Sequence, residues 1–156
     1  MASNITFSGR FDHTLDDKNR LMVPQAFRDA LLRANEASVF YLTRGLDDCL
    51  YMYGRSAWEA VKALVDQRKE EQFADAETRK FFRLFYASAE EAIPDKTGRV
   101  LIPEHLKPIA RLKRDVVLLG VSDKIEIWDK EQWEAFSRTE PGEYERSASK
   151  AFRRLV

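Results

Sequence analysis

The chain has 156 residues, with 26 basic and 26 acidic side chains and a formal net charge of zero. This length predicts one or two small domains, and an apolar fraction of 44% is sufficient for a packed core. The balanced charge excludes a protein whose whole surface is basic, so any contact with nucleic acid must depend on where individual charges are placed.

The side chains that usually build metal or redox sites are scarce. Cys49 is the only cysteine, which excludes an intramolecular disulfide and a cysteine-based metal cluster. His13 and His105 lack metal-ligand spacing. No apolar run is long enough to span a membrane, and the N-terminus lacks a signal pattern. We therefore expect a cytoplasmic protein with no metal, no cofactor, no small-molecule substrate and no membrane partner.

Hydrophobic periodicity and turn residues predict two similar series of short elements. In the first series we expect strands at 5–11, 21–23, 38–43 and 49–53, and helices at 25–33 and 56 to about 70. In the second we expect strands at 87–94, 100–102, 115–120 and 125–128, and helices at 104–110 and 130–137. An aromatic helix at 77–86 links the series and is expected to pack between them. A weakly amphipathic helix at 143–156 follows.

One short run occurs twice. Residues 16–24 read Asp-Asp-Lys-Asn-Arg-Leu-Met-Val-Pro, and residues 95–103 read Asp-Lys-Thr-Gly-Arg-Val-Leu-Ile-Pro. Both copies contain Asp-x-x-x-Arg, three apolar residues and proline, and subtraction of the residue numbers gives an offset of 79 between Arg20 and Arg99. Similar elements follow both runs in the same order, so we infer a duplicated chain.

The duplication predicts four segments: a first unit at 5–70, a connecting helix at 71–86, a second unit at 87–137 and a tail helix at 138–156. Strands this short do not stabilise one unit alone. We expect the two units to interleave their strands in one closed barrel, which also removes open sheet edges.

Each repeated run has the chemistry of a tight turn that displays an arginine. The residue before the arginine is Asn19 in one copy and Gly98 in the other, and both residue types tolerate positive φ. The initial aspartates, Asp16 and Asp95, are expected to point inward and to accept backbone N–H groups across the turn. In the strand that follows the first turn, alternation predicts that Met22 faces the opposite side from its two apolar neighbours.

The basic residues of these turns are candidates for contact with DNA. The planar guanidinium groups of Arg20 and Arg99 can pair with guanine or clamp phosphate, and Lys18 and Lys96 are suited to phosphate oxygens. A simpler interpretation is that the aspartate and arginine of each turn form a local surface ion pair. The presence of two copies in the same frame favours DNA contact.

These motifs identify a family resemblance. The chain resembles the MraZ family of bacterial transcriptional regulators, which are built from two tandem AbrB-like units. Asn19 departs from the family pattern, where glycine is usual, and Gly54 stands where proline is common. The resemblance covers about residues 5–137. The matching segments are residues 7–20, 43–53, 81–82, 95–103 and 116–121, and residues 126–128 with Trp133.

The resemblance implies an α+β fold in which duplicated AbrB-like swapped-hairpin units form an intertwined β-barrel with flanking helices. It also implies a homo-oligomeric ring, associated with the nucleoid, that binds repeated short motifs in double-stranded DNA. Those motifs lie upstream of the division and cell-wall gene cluster, whose transcription the family regulates. The Asp-x-x-x-Arg turns form the DNA-facing surface. A ring that links many weak contacts offsets the low charge of one protomer.

Three alternatives remain at this stage. An enzyme could use His13, Asp16 and Asp95 as acid and base, although the sequence lacks a nucleophile motif, a glycine-rich phosphate loop and a metal cluster. A scaffold that binds only proteins could use the aromatic helix and the tail. The antidote of a toxin–antitoxin pair would usually carry one AbrB-like unit and a disordered tail, whereas this chain has two units and a short tail.

Overall fold

The computed structural model describes residues 5–68, 70 and 74–153, and these residues form a mixed α+β fold. The strands are β1 (Phe7–Thr14), β2 (Arg20–Met22), β3 (Phe40–Arg44), β4 (Leu50–Gly54), β5 (Glu90–Ala92), β6 (Arg99–Leu101), β7 (Asp115–Ser122) and β8 (Lys124–Asp129). The helices are α1 (Gln25–Arg33), α2 (Arg55–Asp66), α3 (Ala76–Ser88), α4 (Lys130–Phe136) and α5 (Glu143–Phe152), with a 3₁₀ turn at Glu104–Leu106.

Most of the predicted elements are present, but several boundaries differ. The helix expected at 104–110 is wrong and is reduced to the 3₁₀ turn, because Pro108 has no N–H to continue an α-helix. The strand expected at 87–94 is only β5, because α3 continues through Ser88, whose hydroxyl donates to the carbonyl of Phe85. The expected positions 69, 71–73 and 154–156, including Leu155 of the tail helix, lie outside the described residues.

Strands from the two halves are interleaved in the larger sheet. Its order is β1-β7-β8-β4-β3-β5 and its neighbouring strands are antiparallel. The first strand of each half pairs with the third strand of the other half, so the order reads the same from either end when the halves are exchanged. At the centre of the ladder between β4 and β8, Tyr51 lies opposite Glu126, and these two residues occupy equivalent positions in the two halves.

The sheet does not close into the barrel that the sequence led us to expect. Among the described residues the six-stranded sheet ends at β1 and β5, and β2 pairs only with β6 in a separate two-stranded sheet. The physical reason is that β2 and β6 use each other as partners and lie across one face of the large sheet instead of extending its edges.

The main core lies between the two sheets and α1. Alternating residues of the central strands contribute to it, because successive side chains of a strand point to opposite faces of the sheet. Fully buried members of this core include Leu21, Phe27, Phe40, Leu42, Leu50, Met52, Ile102, Leu118, Ile125 and Ile127. The small sheet therefore presents one face to the core and its other face to solvent.

Three helices cover the opposite face of the large sheet. Trp133 of α4 packs on Trp128, with ring centroids 5.2 Å apart. Trp58 of α2 stacks on Tyr41, with centroids 5.7 Å apart, and Phe85 of α3 stacks on the same indole at 5.6 Å. The contacts that bury α3 are therefore made with the first half of the chain.

Helix α1 holds the small sheet in place. Pro24 is its N-cap residue, with a φ of −50° and a ψ of 138°, and the helix begins at the next residue. Phe27 projects into the core, where its ring meets Phe7 and Phe11 edge-on with centroids 5.3 and 5.0 Å apart. The helix is thus anchored at the residue immediately before Arg28.

We expect Phe27→Ala to lower the free energy of unfolding by about 3–5 kcal/mol, because the truncation leaves a cavity where the ring met two aromatic neighbours. Urea denaturation followed by circular dichroism measures the change. The matched control is Phe152→Ala, at an exposed position of α5, which should shift the value by no more than about 0.5 kcal/mol. Equal effects of the two substitutions would contradict this assignment of the core.

Candidate nucleic-acid interface

The first Asp-x-x-x-Arg run forms a closed turn immediately before β2. The backbone N–H of Asn19 donates to the carbonyl of Asp16 at 3.0 Å, and the N–H of Asp16 donates to the carbonyl of Arg20 at 3.0 Å. Asn19 has a φ of 61°, the left-handed conformation that the sequence predicts for this position. The turn thus directs the chain into β2 with Arg20 as its first residue.

The carboxylate of Asp16 stabilises this turn. One oxygen accepts the backbone N–H groups of Lys18 and Arg20, each at 2.9 Å, and the other accepts Nε of Arg20 at 2.8 Å. The backbone N–H of Arg20 and its guanidinium both hold the pKa of Asp16 below its ordinary value. Arg20 is therefore partly exposed and folded back onto Asp16, rather than free in solvent.

The second run repeats this turn before β6. The N–H of Gly98 donates to the carbonyl of Asp95 at 3.0 Å, and Gly98 has a φ of 89°. The Asp95 carboxylate accepts the backbone N–H of Arg99 at 3.0 Å, and the N–H and hydroxyl of Thr97 at 2.9 and 2.8 Å. These hydrogen bonds, that of Arg99 first, lower the pKa of Asp95 to about 2. Asp95 holds its turn as expected, but its side chain is exposed rather than inward.

Antiparallel pairing brings both arginines to one face of the small sheet. Arg20 lies opposite Leu101, and Met22 lies opposite Arg99. Opposite residues share a face, and so do residues two apart on one strand. All four side chains consequently lie on the face away from the core, whereas Leu21 between them is fully buried. The expected alternation in β2 is confirmed.

The arginines on this face are diagonal neighbours. Their separation along the ladder corresponds to about 7–8 Å between their positions on the sheet. Lys18 and Lys96 are exposed in the two turns, at opposite ends of the ladder. The structure therefore brings Arg20 and Arg99 to one face of the small sheet, with Lys18 and Lys96 in the turns at its two ends. We name this surface, with its two turns, the β2–β6 face.

The two turns differ in how their arginines are held. Arg20 is paired with Asp16, whereas Arg99 has no ion-pair partner within the described part of the chain. In the second turn, the hydroxyl of Thr97 donates to the same Asp95 oxygen that accepts the backbone N–H groups, whereas Arg20 donates to the other oxygen of Asp16. The simpler interpretation, a local ion pair, thus applies to one turn and not to the other.

The remaining candidates do not join this face. His13 lies half-buried within β1, opposite Val116, and not in a turn or in the core. Burial raises the pKa of the Cys49 thiol to about 12, and the thiol donates to the carbonyl of Leu46. No group of three metal-ligating side chains occurs in the described residues, and no described helix is long and apolar enough to cross a membrane.

Two cations that we did not select from the sequence lie against the turns. Arg28 of α1 approaches Gly98, and Lys107, just after the 3₁₀ turn, donates to the side chain of Asn19 at 2.8 Å. The signal that could have found them is the repeat itself, because the same offset of 79 that relates the turns also relates Arg28 to Lys107.

Comparisons with known proteins also find two tandem units in the chain. The sequence model of a family described as "MraZ protein, putative antitoxin-like" matches residues 6–84 and 85–155. A protein of Acetivibrio thermocellus named transcriptional regulator MraZ is 40% identical over 134 residues, which are 86% of this chain and 88% of that protein. Proteins of the same name from Moorella thermoacetica and Pelotomaculum thermopropionicum are 38% and 40% identical over 144 residues, which are 92% of this chain and 95% and 94% of theirs.

The Asp95 carboxylate should make stability depend on acidity. Its pKa is lowered in the folded chain, so its contribution is fully present above the ordinary value of 3.8 and is lost as the pH falls to about 2. We expect Asp95→Ala to lower the urea midpoint at pH 7 and to flatten the fall in stability between about pH 4 and about pH 2. Urea titrations of both proteins at a series of pH values measure this.

The control is Asp17→Ala, because Asp17 is an exposed turn residue to which none of the turn hydrogen bonds is made. This variant should retain the wild-type urea midpoint at pH 7. If Asp95→Ala kept the wild-type pH profile, the carboxylate would not support the turn.

Proposed function

Since the chain belongs to the MraZ family, whose relatives are named transcriptional regulators, we propose that it regulates transcription by binding double-stranded DNA through the β2–β6 face. The observation that carries the proposal is the pairing of β2 with β6, which brings Arg20 and Arg99 onto one solvent-facing surface. Without this pairing, two turns that are 79 residues apart in the sequence would not be held on the same surface.

The side chains of this face suit a polyanion whose bases also present hydrogen-bond acceptors. A guanidinium can donate two parallel hydrogen bonds to guanine O6 and N7 or to a phosphate. The ammonium groups of Lys18 and Lys96 suit phosphate oxygens on either side. The carboxylates that would repel DNA, Asp16 and Asp95, are already hydrogen-bonded to N–H groups of their own turns, so they hold the arginines in place.

The proposal extends to a ring of identical protomers on repeated DNA motifs. One protomer has no net charge, so its electrostatic attraction to DNA is small. Linking several such faces raises the overall affinity by about a hundred- to ten-thousand-fold when the sites are correctly spaced. We place these motifs upstream of the division and cell-wall gene cluster, and the protein in the cytoplasm at the nucleoid, as a non-enzymatic regulator.

We further propose that the two halves are AbrB-like swapped-hairpin units whose strands are intertwined. The sheet order supports this proposal, because the first strand of each half is paired with the third strand of the other half. Such an exchange fixes the two turns relative to each other, which a regulator needs in order to read a motif of fixed length.

The double variant Arg20→Ala/Arg99→Ala tests the proposal. A gel shift uses the duplex that lies immediately upstream of the division and cell-wall gene cluster, beside a scrambled duplex of equal length. We expect the variant to lose specific binding, because each arginine contact contributes about 1–3 kcal/mol of discrimination between bases. Native mass measurement should show an unchanged oligomer, since neither side chain belongs to the core.

The matched control removes two positive charges elsewhere. Arg33→Ala/Arg83→Ala alters exposed positions of α1 and α3, and it should retain specific binding. Wild-type binding should also weaken steeply with salt, because phosphate contacts release counterions. If both double variants bound the duplex as the wild type does, the β2–β6 face would not be the DNA site. If the wild type shifted neither duplex while its oligomer persisted, a protein-binding scaffold would be favoured.

A further inference from the structure

Arg28 and Lys107 occupy equivalent places in the two halves. Each is the fourth residue after the proline that ends the strand, Pro24 in one half and Pro103 in the other. Both side chains are partly buried beside the small sheet. Neither belongs to the turns themselves, so the proposed DNA contacts do not account for them.

Arg28 reaches across to the turn of the second half. Its Nε donates to the carbonyl of Val23 at 3.0 Å, which directs the guanidinium toward the neighbouring strand β6. A Cβ placed on Gly98 would lie 2.6 Å from Cζ of Arg28 and 2.8 Å from two of its nitrogens. The guanidinium therefore occupies the space that any other side chain at position 98 would need.

Lys107 reaches across in the opposite direction, to the turn of the first half. Its Nζ donates to Oδ1 of Asn19 at 2.8 Å and lies 3.9 Å from a carboxylate oxygen of Glu104. The amide nitrogen of Asn19 donates to the same carboxylate group. Asn19, which must keep a φ of 61°, is thus held by two side chains from the other half.

In each contact, the size of the cationic group fits the residue that it meets in the turn of the opposite half. The broad guanidinium of Arg28 faces a glycine, whereas the slender ammonium of Lys107 faces an asparagine that reaches toward it. This pairing explains why the equivalent turn positions carry different residues, although both have positive φ. The choice between glycine and asparagine depends on the cation from the opposite half and not only on the local backbone.

We propose that Arg28 and Lys107 are positioning residues for DNA binding that act crosswise, each holding the turn of the opposite half. Arg28 supports the turn that presents Arg99, and Lys107 supports the turn that presents Arg20. The expected effect on DNA affinity rests on the proposed function. The crosswise support itself is a property of the protein without DNA. A turn that is already ordered loses less conformational entropy when it binds.

Amide hydrogen exchange tests the support without DNA. In Arg28→Leu we expect faster exchange at Thr97, Gly98 and Arg99 than at the equivalent amides of the first turn. In Lys107→Leu the faster amides should be Lys18, Asn19 and Arg20. Arg33→Leu, an exposed position on the same helix as Arg28, should change neither set. A general loss of stability would accelerate both turns alike, and that result, or acceleration in the same half, would overturn the proposal.

A compensation experiment on the upstream duplex tests the consequence for DNA. Gly98→Asn should weaken binding about tenfold, the range in which contacting residues affect each other, because the asparagine meets the guanidinium of Arg28. Arg28→Lys/Gly98→Asn recreates the combination found at the first turn, and it should recover most of the wild-type affinity. Circular dichroism and native mass measurement confirm that each variant is folded and assembled.

The outcomes separate this proposal from the proposed function. If the wild type does not bind the duplex, the proposed function fails, and the exchange pattern alone decides whether the support is crosswise. If the wild type binds but the double variant is no better than Gly98→Asn, the positioning role is overturned while the DNA site stands. Recovery by the double variant together with the crosswise exchange pattern supports the positioning role.

Discussion

Two reciprocal backbone hydrogen bonds join the two turns of the β2–β6 face to each other's strands. The N–H of Val23 donates to the carbonyl of Gly98 at 2.9 Å, and the N–H of Ile102 donates to the carbonyl of Asn19 at 2.8 Å. Each bond joins the residue just after one short strand to the positive-φ residue of the other turn. Each turn is thus joined by a backbone hydrogen bond to the other half, and a strand of three residues is stable only as part of this pair.

The same pairing allows a chain without net charge to bring two arginines to one surface. Each turn begins with an aspartate, which taken alone would oppose a polyanion. In the folded chain those carboxylates accept N–H groups of the turn, and this lowers the pKa of both Asp16 and Asp95. Negative charge is thus used to order the backbone, and the lysines and arginines remain at the surface. The proposed contact with DNA therefore depends on where the charges are placed and not on the total charge.

Local patterns were reliable where neighbouring residues decide the structure. Helix α1 begins and ends where its periodicity indicates, and the positive φ of Asn19 and Gly98 follows from their residue types. The predicted helix after Pro103 failed because one proline interrupts it. The strand before the second turn is shorter than expected because α3 continues to Ser88, where the hydroxyl also contacts Thr43 of the distant strand β3.

The sequence by itself determined the α+β class, the duplication, the two tight turns and the identity of the residues in them. All of these depend on residue type, spacing and periodicity within short segments. Only the tertiary structure decided that the large sheet has open edges, that Arg20 is paired while Arg99 is not, and that Arg28 and Lys107 each contact the turn of the opposite half. Those features depend on the register between segments 79 residues apart, which is set by packing of the whole core and leaves no signal in either segment alone.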